Sequence, residues 1–83
     1  MLIMNQNKGM VVNTDTLAYI HIDRIMQIRA VFATPGLSSV WLGSYNSEDD
    51  CKKVLSDILR IYSCEGEYTY EMPQKDEVTN DWN

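Results

Sequence analysis

Between Leu42 and Asp50 the chain changes its hydrophobic period from two residues to about 3.6, and that switch decides what it can fold into. Upstream, Val40 and Leu42 alternate with Ser39 and Trp41 as a strand requires. Gly43 then relaxes the backbone, and Ser47 stands where a helix N-cap belongs. Downstream, Cys51, Val54, Leu55, Ile58, Leu59, Ile61 and Tyr62 recur at the i, i+3, i+4, i+7 spacing of one buried helical stripe. Lys52, Lys53, Ser56, Asp57 and Arg60 form the opposite, wet face. The acidic first turn suits the helix dipole, and Glu48–Lys52 and Asp49–Lys53 are i,i+4 pairs worth about 0.2–0.5 kcal/mol each.

The segments before the switch read as sheet. Met1-Leu2-Ile3-Met4 and Met10-Val11-Val12 flank the turn formers Asn5 to Gly9 and predict a hairpin. After the polar break Asn13 to Thr16, residues 17–23 alternate, with Ala18, Ile20 and Ile22 on one face and Leu17, Tyr19, His21 and Asp23 on the other. Arg24 marks a reversal. Residues 25–33 then place Met26, Ile28, Ala30 and Phe32 together, with Gln27, Arg29 and Val31 opposite. Thr34-Pro35-Gly36-Leu37 is a type II turn signature, because Pro35 presets the first dihedral and Gly36 permits the positive one. Gly66 is expected to end the helix or its trailing turn, and Glu67-Tyr68-Thr69-Tyr70-Glu71-Met72 to form a last strand stopped by Pro73.

The fold class expected is α+β: an antiparallel meander of four to five strands, one amphipathic helix and a final short strand. The predicted core packs Ile20, Ile22, Ile28, Phe32 and Leu42 against Val54, Leu55, Ile58 and Tyr62. One domain is expected over residues 1–73, with residues 74–83 a polar, flexible tail. Trp82 is assigned to that tail. A chain of 83 residues buries only about 60% of its unfolded surface, so its core is thin and association is one way to cover what remains.

Charge narrows the partners. Twelve acidic residues against seven basic ones give −5, and no basic cluster is denser than Lys52-Lys53, which argues against direct binding to nucleic acid. Cys51 and Cys64 would lie about 20 Å apart along one helix, beyond the roughly 7 Å a disulfide spans, so both are expected as thiols. With no signal-like or membrane-spanning apolar segment, the sequence predicts a cytoplasmic protein.

The stretch LGSYNSEDDCKKVL with YEMP downstream resembles a family of small uncharacterised proteins common in Gram-positive bacteria and their phages. The matching positions are Leu42, Gly43, Tyr45, Ser47, Glu48, Asp49, Cys51, Lys52, Val54 and Leu55, then Tyr70, Glu71, Met72 and Pro73. Asn13 and Asp15, Ile20 and Ile22, and Ile28 and Ala30 match the family's earlier strands. Asp49 stands for a second Glu and Cys51 for a small residue. The resemblance implies a strand meander followed by one helix, and no known activity.

No catalytic constellation emerges. His21 is the sole histidine, the two cysteines do not have zinc spacing, the acidic runs lack the glycine of a calcium loop, and no glycine-rich phosphate loop is present. No catalytic residue, metal site, cofactor or small-molecule substrate is therefore assigned, and the chain is not expected to be an enzyme. The expected function is protein interaction or self-assembly, including homodimer formation, through the sheet face away from the core or through the last strand. The residues proposed to carry it are Tyr19, His21, Arg29, Val31, Trp41, Tyr68 and Tyr70, since aromatic and Arg side chains make effective interface anchors. The alternative is a phage-encoded acidic inhibitor that blocks a basic nucleic-acid-binding surface of a host or defence protein.

Overall fold

A computed structural model of the protein describes residues 1–64 and 69–81. The fold is α+β. Among the described residues, six strands, β1 (Leu2–Met4), β2 (Val11–Asn13), β3 (Leu17–Ile22), β4 (Gln27–Phe32), β5 (Val40–Ser44) and β6 (Thr69–Glu71), accompany one α-helix, α1 (Glu48–Tyr62). They form two three-stranded sheets, one ordered β2-β1-β6 and the other β3-β4-β5. The second sheet is an antiparallel meander. In the first, the hairpin partner β2 is antiparallel to β1, and β6 returns to the other side of β1 in parallel, within its own chain.

Both predicted hairpin turns form. Gly36 adopts φ +88°, with Leu37 N–H donating to the Thr34 carbonyl at 3.3 Å, as a type II turn demands. The β3–β4 reversal is longer than the sequence suggested. The Asp23 carboxylate accepts the Ile25 and Gln27 N–H groups, so β4 begins at Gln27 and Ile25 is left exposed in the turn. Met26 is held there at φ +62°, a conformation that a residue with a β-carbon adopts rarely.

A second departure lies in β3. Leu17 pairs with Phe32 but Tyr19 pairs with Val31, so two residues of β3 oppose one of β4. This bulge at Ala18 shifts the alternation, and Leu17 joins Ile20 and Ile22 against the core instead of sharing the face of Tyr19 and His21.

The core lies between the sheets and α1. Ile28, Leu42, Val54 and Ile58 are buried as expected, together with Ile3, Val12, Tyr45, Cys51, Tyr70 and Met72. Ile20, Ile22, Phe32 and Leu55 pack only at its margin. Tyr62, assigned to the core by its helical spacing, is 59% exposed, and Leu59 is 65% exposed. The helix's apolar stripe is wider than the sheet surface that covers it.

Ser47 caps α1 by accepting the Asp50 N–H at 3.1 Å. Lys52 pairs with Glu48 at 3.7 Å, whereas Lys53 turns to Asp50 at 3.8 Å rather than to Asp49. Tyr45 closes the strand–helix corner, its N–H on the Met26 carbonyl and its hydroxyl on the Pro73 carbonyl at 2.8 Å. Its ring lies so close to Gly43 that a β-carbon there would meet the hydroxyl oxygen at 2.9 Å, which is why the corner requires glycine.

Residues 74–81 do not behave as a free tail. Val78 is completely buried, and Thr79 accepts from Asn46 Nδ2 and donates to Asp50 Oδ2, both at 2.8 Å. One apolar residue in a polar stretch suffices to dock the turn Glu77–Asp81 beside the helix start, and periodicity cannot register a single residue. Gly66 and Trp82 lie outside the described residues.

Truncating Val78 to Ala should therefore cost about 1.5–2.5 kcal/mol and Ile58 to Ala about 2–5 kcal/mol, whereas Leu59→Ala should lie within about 0.5 kcal/mol of wild type. Chemical denaturation checks this ordering. A midpoint unmoved by Val78→Ala would return residues 74–81 to a tail.

Candidate interaction surface

The second sheet has two edges, and they differ. Along β5, the Leu42 carbonyl accepts the Gln6 N–H at 2.7 Å, and the Gln6 side chain takes both Ser44 backbone groups, accepting from its N–H and donating to its carbonyl. That edge is closed by the chain itself. Along β3 no strand follows among the described residues. The Asp23 N–H bonds the Gln27 carbonyl, so the alternation of an antiparallel ladder turns the backbone groups of Ile20 and Ile22 away from β4, toward the open edge.

A groove of about 490 Å³ runs between this edge and the exposed stripe of α1. Leu17, Ala18, Tyr19 and Ile20 form one wall and Leu55, Ile58, Leu59 and Tyr62 the other, with Met1 and Thr14 completing the lining. None of these side chains carries a formal charge. Two local features build the groove: the Ala18 bulge, which turns Leu17 inward, and the surplus width of the helical stripe, which leaves Leu59 and Tyr62 uncovered.

The outer sheet face gathers most of the residues that the sequence proposed. Tyr19 and Val31 face each other across β3 and β4, as do His21 and Arg29, and Arg29 opposes Trp41 across β4 and β5. The Tyr19 and His21 ring centroids lie 5.6 Å apart. Only Tyr19, 57% exposed, is open to a large probe, while the others are half-buried and locally engaged. Arg29 Nε donates to Ser39 Oγ at 3.0 Å, and Trp41 Nε1 donates to Ser44 Oγ at 2.9 Å.

Tyr70 does not belong to this surface. It is buried between the first sheet and α1, and its hydroxyl donates to Asp57 Oδ2 at 2.8 Å. Burial, and then the bond to Asp57, push its pKa well above the ordinary phenol value. The sequence places Tyr70 with Tyr68 among the binding residues, but β6 points Tyr70 inward, and Tyr68 lies outside the described residues. Leu59 and Tyr62 are the surface residues that sequence reasoning missed, because helical spacing marks a side chain as apolar without showing whether the sheet extends far enough to cover it.

The remaining reactive groups are dispersed. His21, Asp23, Arg24 and Glu48 border a shallow depression with Ile22 and Met26. Among the described residues, no three His, Cys, Asp or Glu side chains gather as a metal would require. Cys51 is buried with its thiol directed at the Met26 carbonyl, 3.4 Å away, and desolvation, followed by the negative charge of Asp50, raises its pKa. Tyr45 is likewise raised, mainly by burial. Among the described residues no helix is long and apolar enough to cross a membrane.

Comparison of the chain with protein-family models, with curated proteins and with solved structures returns no match.

The two cysteines should separate cleanly in a thiol titration. Cys64 is exposed and Cys51 buried, so a polar disulfide reagent should modify one thiol rapidly in the native protein and the second only on denaturation. Cys64→Ser should abolish the fast phase. A fast phase that survives this substitution would place Cys51 at the surface.

Proposed function

We propose that this chain is a small protein-interaction or self-assembly module that works by binding another polypeptide rather than by catalysis. The observation that carries the proposal is the groove beside the open edge of β3, whose lining side chains bear no charge and where Tyr19, Leu59 and Tyr62 are all more than half exposed. Contiguous exposed apolar surface beside unpaired backbone groups is costly to leave in water and characteristic of a docking site. An extended segment laid along β3 would satisfy the backbone of Ile20 and Ile22 and set alternate side chains into the groove, which is how strand addition combines affinity with selectivity. This moves the expected surface from the outer sheet face to its rim, with Tyr19 shared by both. The last strand is occupied in pairing with β1 and plays the lesser part in this reading.

Net charge −5 favours a second reading, an acidic inhibitor that occupies a basic nucleic-acid-binding surface of another protein, in keeping with the resemblance of LGSYNSEDDCKKVL and YEMP to a phage-associated family. Ionic strength separates the two. A complex held by the groove should change little in affinity between low and high salt, whereas charge-driven occupation of a basic surface should weaken steeply.

Chemical cross-linking in host extract provides the direct test. The wild-type chain should be captured by a discrete partner, whether itself or another protein. The Leu59→Lys/Tyr62→Lys variant, folded by circular dichroism, should lose that product by roughly tenfold or more, as expected when charges enter the centre of an apolar interface. An unchanged product would exclude the groove as the binding surface.

A further inference from the structure

We infer that the occupant of the groove is a second copy of this chain, joined edge to edge through β3 about a two-fold axis; this rests on the interaction reading above and names its partner. Four observations converge. First, β3 is a six-residue edge strand, LAYIHI, without the Lys, Asp, Glu or Pro that commonly protect long edges, and its bulge at Ala18 leaves the stretch from Tyr19 to Ile22 in regular register. The other edges are guarded: β2 and β6 have three residues each, and β5 is closed by Gln6.

Second, the backbone geometry is self-complementary. Ile20 directs its N–H and carbonyl outward, so an axis perpendicular to the sheet at Ile20 sets the residue opposite its own copy in a hydrogen-bonded antiparallel pair. In that register Tyr19 faces His21 of the second copy, repeating across the interface the aromatic pairing that the protomer already contains. The result is a continuous six-stranded sheet, β5-β4-β3 followed by its symmetry mate, with both helices on the same face.

Third, the area is of the order a small specific interface needs. Tyr19, Leu59 and Tyr62 expose on the order of 350 Å² between them, taking roughly 200 Å² for each fully exposed side chain. The same residues of the second copy double this. Full burial of these side chains in both copies accounts for about 700 Å², and the two strand edges between them bring the total toward the roughly 1,000 Å² at which specific interfaces begin.

Fourth, charge permits it. A chain of net charge −5 repels its own copy, and repulsion is least where the facing surface is uncharged, which is the case for every side chain lining the groove.

Sedimentation equilibrium over roughly 5–200 µM, spanning the dissociation range of an interface at the small end of the specific class, tests the inference. The wild-type mass should rise toward that of a dimer. Ala18→Lys, at an exposed bulge position where folding is little affected, sets two lysines near the axis and should raise the dissociation constant at least about tenfold. Leu59→Lys/Tyr62→Lys, which alters the helix wall instead, should do the same. Circular dichroism of both variants confirms that each remains folded, and hydrogen exchange should show Ile20 and Ile22 amide protection that increases with concentration in the wild type alone. A wild-type monomer throughout this range, or a dimer indifferent to both variants, overturns the inference. If the monomer still yields a cross-linked partner that Leu59→Lys/Tyr62→Lys abolishes, the occupant is a different protein and the interaction reading survives; if that product is also unchanged, both fail.

Discussion

The structure depends on the satisfaction of one side chain, Gln6. Its amide spans two sheets and the strand exit that neither sheet contains: it accepts from Ser44 N–H and donates to the carbonyls of Ser44 and Pro73, while its own backbone binds Leu42 through N–H and accepts from Gln74 Nε2. Asn5 beside it is buried and takes the Gly9 and Met10 N–H groups, which rigidifies the hairpin loop that presents Gln6. Two short sheets that share no strand would otherwise be held together by side-chain packing and the Tyr45–Pro73 hydrogen bond. A fully satisfied polar bridge fixes their relative placement, and partial satisfaction would be worse than none.

That placement determines which surfaces are closed and which remain open. By sealing β5, Gln6 leaves β3 as the unguarded edge of its sheet. By tying down Pro73, it aligns β6 beside β1 and brings the following turn over the start of α1, where Thr79 meets the buried Asp50 carboxylate. The helix is thereby anchored at its N-terminal end, with Cys51 and Val54 wholly enclosed, while Leu59 and Tyr62 near its other end emerge beside β3. The groove opens beyond the last buried contacts of the helix, Ile58 and the Asp57–Tyr70 hydrogen bond.

Much of this was legible in the sequence, and the exceptions have a common cause. The change of period at Leu42–Asp50, the Ser47 cap, the Pro35-Gly36 turn and the alternation of β4 are local properties, and local spacing reports them faithfully. The division into two sheets, the bulge at Ala18, the burial of Val78 and the inward aim of Tyr70 are set by residues distant in the chain. Gln6 looked like a turn former among Asn5, Asn7 and Gly9, since nothing in its neighbours announces that its partners are Ser44 and Pro73. The site was half visible for the same reason. Tyr19 could be placed on an outward-facing strand position, but exposure of Leu59 and Tyr62 depends on where a sheet ends.

The parallel pairing of β1 with β6 also bears on how the molecule forms. β1 occupies the centre of its sheet, yet its two neighbours become available at very different times: β2 through a short hairpin, β6 only after nearly the whole chain has been laid down, as the 67-residue separation of the Gln6–Pro73 bond illustrates. Closing so long a loop has to precede any gain from the contacts it allows, so this step is the natural kinetic bottleneck. Until it is passed, Ile3 and the unpaired side of β1 are open to mispairing. An otherwise simple meander and helix thus carry a late, long-range clasp, and the vulnerable interval in the life of this protein is the one before that clasp engages.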